Sequence, residues 1–162
     1  TQVEIVEENF EKVEIISFFK EFKNVFSSYK YSLDIKTSED NIYLSVNKDK
    51  FNQVLFNLID NAKTFSPANS TILIMIKIKN EICSIDIVDQ GSGINFDYNE
   101  KIFDRFYTDR EIDRNSHSGL GLSISRKIIE SFGGNLKLVK NTHSGFDGAC
   151  FNIELPLKDL KN

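Results

Sequence analysis

Between Lys48 and Phe65 the apolar residues Phe51, Val54, Leu55, Leu58, Ile59, Ala62 and Phe65 recur at three- and four-residue intervals. That spacing draws one apolar stripe along an α-helix, and Pro67 just beyond it marks the stop. Val13 to about Tyr29 repeats the helical interval through Ile16, Phe19, the Lys20 stem, Val25 and Phe26, which predicts a second helix. Leu120 to Phe132 predicts a third, ended by Gly133-Gly134. The period is different at Ile72, Ile74, Ile76 and Ile78, where strict alternation marks a strand. Lys79-Asn80-Glu81 then reads as a turn into a second strand, Ile82 to Val88, so the two form a hairpin. Tyr31–Ile35 and Ile42–Val46 read as short strands around a polar turn, and Leu136–Lys140 with Ala149–Leu155 as a closing pair. Gln90 to Ser118 is long, polar and almost without period, apart from an apolar knot at Ile102 to Tyr107. Such a loop in a compact domain reads as a functional lid or as a disordered segment. The sum is an α/β two-layer sandwich: one mixed or antiparallel sheet of about five strands, with three helices on one face.

Composition narrows the class. A chain of 162 residues is one domain in size, with a core expected over about residues 10–156. The hydrophobic share of 40% and charged share of 27% are those of a soluble globular protein. A net charge of −4 without a basic tract argues against nucleic-acid binding. No apolar stretch nears the roughly 20 residues that span a bilayer, and the acidic start, Thr1 to Asn9, is not a signal peptide. A chain that begins with Thr1 is expected to be a fragment of a longer protein. Cys83 and Cys150 lie in apolar strand-like runs and read as reduced, buried thiols of a cytosolic domain. Their spacing to His117 and His143 is not that of a metal site.

Four constellations carry possible chemistry. On the long helix, at about 100° per residue, Gln53, Asn57, Asn61 and Thr64 share a polar strip beside the apolar stripe. It is either a solvated face or a row of amide oxygens at the edge of a cleft, neutral hard ligands suited to Mg²⁺ arriving on phosphates. Asp89-Gln90-Gly91-Ser92-Gly93-Ile94 ends a strand. It is either a plain turn or a ligand site, in which the glycines allow close approach of a planar ligand and the carboxylate could accept from an exocyclic amine. Ile102-Phe103-Asp104-Arg105-Phe106-Tyr107 is an apolar tether within the lid. His117-Ser118-Gly119-Leu120-Gly121-Leu122-Ser123 runs into a helix whose free N–H groups suit phosphate.

In this order and spacing the four segments resemble the N, G1, F and G2 boxes of sensor histidine kinases. The likeness runs from about Phe10 to Pro156 and includes the ending Gly-x-x-Gly-Ala-x-Phe-x-x-x-Leu-Pro, Gly145 to Pro156. Those kinases share the Bergerat ATP-binding fold with gyrase, Hsp90 and MutL. The resemblance implies ATP and Mg²⁺ as ligands and a single catalytic domain over residues 1–162, with an ATP lid over about 95–118. It implies that Asn61 holds Mg²⁺, with Asn57 nearby, and that Asp89 accepts from the adenine amino group while Gly91 and Gly93 let the base approach. Ser118, Gly119, Leu120 and Gly121 would meet the phosphates. Ile59, Ile94 and Leu122 would wall the adenine, and Phe103 and Phe106 would anchor the lid.

Some positions depart from the family pattern. Lys63 stands one place before the usual N-box lysine, which Thr64 replaces. Thr108 follows the F-box Tyr107 where relatives have Arg, leaving Arg110 as a stand-in at the γ-phosphate, and His117 replaces a G2 glycine. These variants resemble the ChvG-type kinases of envelope sensing. Neither His117 nor His143 lies on a helical hairpin, so the acceptor histidine is expected on a separate dimerisation domain. The full kinase is then expected to be a homodimer signalling to a response regulator, and this piece a monomer on the cytoplasmic side of an inner-membrane sensor. Two other readings remain open. One is a related ATPase or serine kinase; those carry a Glu general base where Asn57, which cannot take a proton, stands. The other is a nucleotide-binding pseudokinase or scaffold.

Overall fold

The computed structural model describes residues 9–26, 31–105 and 121–158. Chain order is β1 (Glu11–Glu14), α1 (Ile15–Phe26), β2 (Ser32–Thr37), β3 (Tyr43–Val46), α2 (Lys48–Phe65), β4 (Thr71–Lys79) and β5 (Ile82–Val88). Two short 3₁₀ turns, Phe96–Tyr98 and Lys101–Phe103, precede α3 (Gly121–Ser131), β6 (Asn135–Val139) and β7 (Cys150–Pro156). A five-stranded sheet runs β2-β4-β5-β7-β6. It is mixed: β2 pairs parallel with β4, and the other pairs are antiparallel.

The helices α2 and α3 and the β4–β5 hairpin follow the expected pattern. The α2 stripe is buried at Phe51, Val54, Leu55, Leu58, Ile59 and Ala62. Asn47 caps its start, accepting from the Lys50 N–H at 3.1 Å, which satisfies one of the free donors there. The hairpin turns through Asn80 and Glu81, both at positive φ, as a two-residue loop between paired strands requires.

The N-terminal third differs from expectation. Val13 is not helical but belongs to β1, and α1 starts at Ile15. Val25 is 63% exposed, while Ile15, Phe18 and Phe22 join Ile16, Phe19 and Phe26 in the core. The periodicity survives a rotation of the stripe, because a run this rich in Phe fits more than one helical face. β2 and β3 do not pair with each other. β3 pairs antiparallel with β1 in a separate two-stranded sheet.

The three helices cover the sheet face that carries Ile72, Ile74, Ile76, Ile85, Ile87, Phe151 and Ile153, in one core cluster. Phe19 and Phe51 sit at its centre, fully buried. Alternation puts Leu73, Val88 and Cys150 on the opposite face as a small separate cluster.

Candidate functional site

The end of β5 sets the site. Asp89 follows the last strand residue and is 2% exposed, held by antiparallel pairing to β7 on one side. Its Oδ1 accepts from the Gly91 N–H at 2.9 Å and the Ala149 N–H at 3.2 Å. Its Oδ2 accepts no hydrogen bond from the described residues. Its backbone N–H donates to the Ala149 carbonyl, and its own carbonyl accepts from the Gly148 N–H. Burial raises the Asp89 pKa above the ordinary carboxylate value, opposed by the Gly91 and Ala149 hydrogen bonds. A carboxylate so placed has one oxygen occupied and one available to a donor.

Two glycines make this arrangement possible. A Cβ on Gly148 would lie 1.8 Å from Asp89 Oδ1, so no side chain fits there. A Cβ on Gly91 would lie 2.3 Å from the Phe65 carbonyl oxygen at the end of α2. Gly91 is therefore demanded by the strand-end turn passing against α2, a reason additional to ligand approach. Gly93 has φ +80°, the left-handed region open to glycine. Gln90 pins the turn from outside: its Oε1 accepts from the Thr71 N–H at 2.8 Å and its Nε2 donates to the Gly145 carbonyl at 3.2 Å.

The α2 strip is divided among different partners. Asn57 Nδ2 donates to Ser125 Oγ at 3.1 Å and to the Gly121 carbonyl at 3.4 Å, so it joins α2 to the start of α3. Asn61 is half-buried, and its side chain makes no hydrogen bond with the described residues. Thr64 turns its hydroxyl back to the Asp60 carbonyl at 2.9 Å. The Lys63 ammonium lies over the Phe26 and Tyr31 rings at 5.7 and 5.5 Å, away from the strip. Gly121 is close to Asn57, its ideal Cβ falling 3.7 Å from Asn57 Cγ. Ile94 and Leu122 are half-buried at the edge of the core, whereas Ile59 is fully buried within it.

The 3₁₀ turn at Lys101–Phe103 is firmly anchored. Ile102 and Phe103 are buried, and the Phe103 ring meets Phe151 edge-on at 6.2 Å. The Arg126 guanidinium lies over Phe103 at 4.3 Å and grips Glu100 with two bonds of 2.8 and 3.2 Å. Phe106, Arg110, Ser118, Gly119 and Leu120, expected at the lid and the phosphates, lie outside the described residues, as do Thr108 and His117. An open cavity of about 360 Å³ borders the strand-end turn, lined by Gly93, Ile94, Phe96, Lys140, Asp147 and Gly148 among others. Asn57, Asn61, Asp89 and Gly121 do not line it.

Sequence reasoning passed over three contributors. Gly148 and Ala149 were visible only as letters in the C-terminal ending, and the Arg126–Glu100 clamp carried no signal, since charged residues on a helix usually face solvent.

The described residues thus combine a two-layer sandwich, a buried strand-end aspartate, a glycine turn and an asparagine-bearing helix. The sequence profile of the histidine kinase-, DNA gyrase B- and HSP90-like ATPases matches residues 46–159. The chain belongs to that family. It is 39% identical over 89 residues to the sensor protein KdpD of Clostridium acetobutylicum, covering 55% of this chain and 9% of that protein. It is 36% identical over 94 residues to the signal transduction histidine-protein kinase ArlS of Staphylococcus haemolyticus, covering 58% of this chain and 20% of that protein. The chain thus spans a small part of the length of these relatives. Among solved structures, the nucleotide-free catalytic domain of histidine kinase ThkA superposes with a TM-score of 0.78 at 25% identity, over 91% of this chain and 95% of that one.

Proposed function

We propose that this chain is the catalytic domain of a two-component sensor histidine kinase, binding Mg-ATP and passing its γ-phosphoryl group to a histidine on a separate dimerisation hairpin. The observation that carries the reading is the Asp89 clamp. One carboxylate oxygen is saturated by two backbone N–H groups and the other is left for an amine. The fit to adenine rests on that acceptor, and the fit to Mg²⁺ on the half-buried amide of Asn61, neither of which takes a hydrogen bond from the described residues. Mg²⁺ neutralises phosphate charge when bound. Asp89 would orient the base, Asn61 would hold the metal from the side of α2, Ser118, Gly119, Leu120 and Gly121 would meet the phosphates, and Arg110 would stand in at the γ-phosphate. Asn57 keeps the start of α3, and with it Gly121, against α2.

No residue in these roles is a nucleophile or a base. The bond from the γ-phosphorus to the bridging oxygen breaks as a bond to the incoming imidazole nitrogen forms, and ADP leaves. The chain contributes positioning and charge neutralisation. Asn57 in place of a carboxylate fits an acceptor that needs no protein base, since neutral imidazole is already nucleophilic. In the full-length protein the domain sits on the cytoplasmic side of a membrane-bound homodimeric sensor, whose phosphohistidine supplies a response regulator. Among the described residues, no helix is long and apolar enough to cross a membrane.

Calorimetric titration of ADP and a non-hydrolysable ATP analogue, with and without Mg²⁺, tests the site. Adenine nucleotide should bind the parent protein, and Asn61→Ala should remove mainly the Mg²⁺ dependence. Transfer of labelled phosphate to an added hairpin domain tests the reaction. Binding without transfer would leave a nucleotide-regulated scaffold, and no binding at millimolar nucleotide would end the enzyme reading.

A further inference from the structure

The sheet face opposite the helices carries a cluster that the phosphoryl-transfer site does not use. Asp86 on β5 and Cys150 on β7 are diagonal neighbours there, since Asp86 pairs with Asn152 and Val88 with Cys150. His143 reaches them from the loop between β6 and β7, its Nε2 lying 2.8 Å from Asp86 Oδ2. One ligand atom from each of Asp86, His143 and Cys150 lies within 4.8 Å of the other two. All three are held in place. Asn152 Nδ2 donates to Asp86 Oδ1 at 2.7 Å, leaving Oδ2 aimed at His143. The His143 N–H donates to Asn141 Oδ1 at 2.9 Å, and Asn141 Nδ2 donates on to the Gly148 carbonyl at 2.8 Å. Cys150 is 1% exposed, whereas the His143 and Asp86 side chains keep 14% and 23% of their surface in solvent.

A plain alternative exists: His143–Asp86 as a loop tether and Cys150 as a small core residue beside Leu73 and Val88. It accounts for each contact singly but not for three ligand types, from three segments, meeting at one partly open point. We propose that Asp86, His143 and Cys150 form a site for a divalent transition metal of the zinc class, with water as the fourth ligand. Imidazole, carboxylate and thiolate together suit borderline-soft Zn²⁺ and not Mg²⁺ or Ca²⁺. Tetrahedral coordination at about 2.0–2.3 Å sets ligand atoms roughly 3.3–3.8 Å apart, so the cluster needs side-chain shifts on the order of 1 Å. Burial, with the Asp86 and Asp89 charges, pushes the Cys150 thiol up to about 12. The metal–sulfur bond therefore forms as the thiol proton leaves to solvent. An ion here would staple the β6–β7 loop, which also carries Gly148, to β5.

Cobalt(II) titration of chelator-treated, reduced protein without a histidine tag tests the site. One Co²⁺ per chain should bind with a near-ultraviolet thiolate-to-cobalt charge-transfer band, and Zn²⁺ should abolish it. Cys150→Ser should lose the band, His143→Gln and Asp86→Asn should each weaken binding at least about tenfold, in line with disturbed ligation, and Cys83→Ser should change nothing. His143→Gln alters an exposed loop, and far-ultraviolet circular dichroism checks that every variant is folded. No charge-transfer band at saturating Co²⁺, a band lost in Cys83→Ser, or binding indifferent to His143→Gln would overturn the proposal.

Discussion

Asp89→Asn separates recognition from stability at one atom. The new Oδ1 can still accept from the Gly91 and Ala149 N–H groups at 2.9 and 3.2 Å, so the strand-end turn keeps both bonds. At the other oxygen an acceptor becomes an NH₂ donor, which in the proposed complex would face the amino group of the base. The bound state loses a hydrogen bond to a charged group, about 1.5–3 kcal/mol, and gains an unpaired donor pair costing about 1–3 kcal/mol. Together these weaken adenine nucleotide binding by about two to four orders of magnitude, at about 1.4 kcal/mol per decade. Stability should move the other way. Burial raises the folded-state pKa of Asp89, so the unfolded chain ionises first as the pH rises. The protein loses stability as the pH rises from the ordinary carboxyl value through the raised one. Asparagine removes that loss. The variant should therefore melt at or above the parent temperature at pH 7, with its relative advantage shrinking as the pH falls through the raised pKa. Calorimetry with ADP and thermal melts at several pH values measure both. ADP affinity within threefold of the parent, or a collapse of the melting temperature at pH 7, would refute the reasoning.

Other outcomes follow from the same geometry. Gly148→Ala drives a Cβ against Asp89 Oδ1 and should cost about 1–3 kcal/mol by urea unfolding, the range for overpacking, together with nucleotide binding. Asn57→Ala removes the donor to Ser125 and Gly121 and should cost about 1 kcal/mol in the same assay, with hydrogen exchange rising first at the start of α3. Arg126→Ala breaks the grip on Glu100, but Glu100 is 69% exposed. The ionic part should stay under about 1 kcal/mol and fade in high salt, while the lost cover over Phe103 persists.

The sequence alone was enough for elements whose signal is local. The α2 stripe, the alternating Ile72–Ile78 strand and the turn expected at Lys79-Asn80-Glu81, which pairing of Lys79 with Ile82 narrows to Asn80-Glu81, each depend on patterns within one segment. The box motifs are contiguous for the same reason. Their order suggested the ATPase family before any distance was known. What escaped was whatever depends on neighbours far along the chain. β1 is too short to show a period and becomes a strand because β3 is there to pair with it. The face of α1 was ambiguous among its many phenylalanines until β2 and α2 selected one. Parallel pairing of β2 with β4 needs a crossover that carries β3 and α2, which no local pattern encodes. Gly148 against Asp89, Arg126 on Glu100, and the meeting of Asp86 with His143 and Cys150 join segments brought together only by burial of the core. Sheet register then fixes which of their side chains share a face, and that decision belongs to tertiary structure.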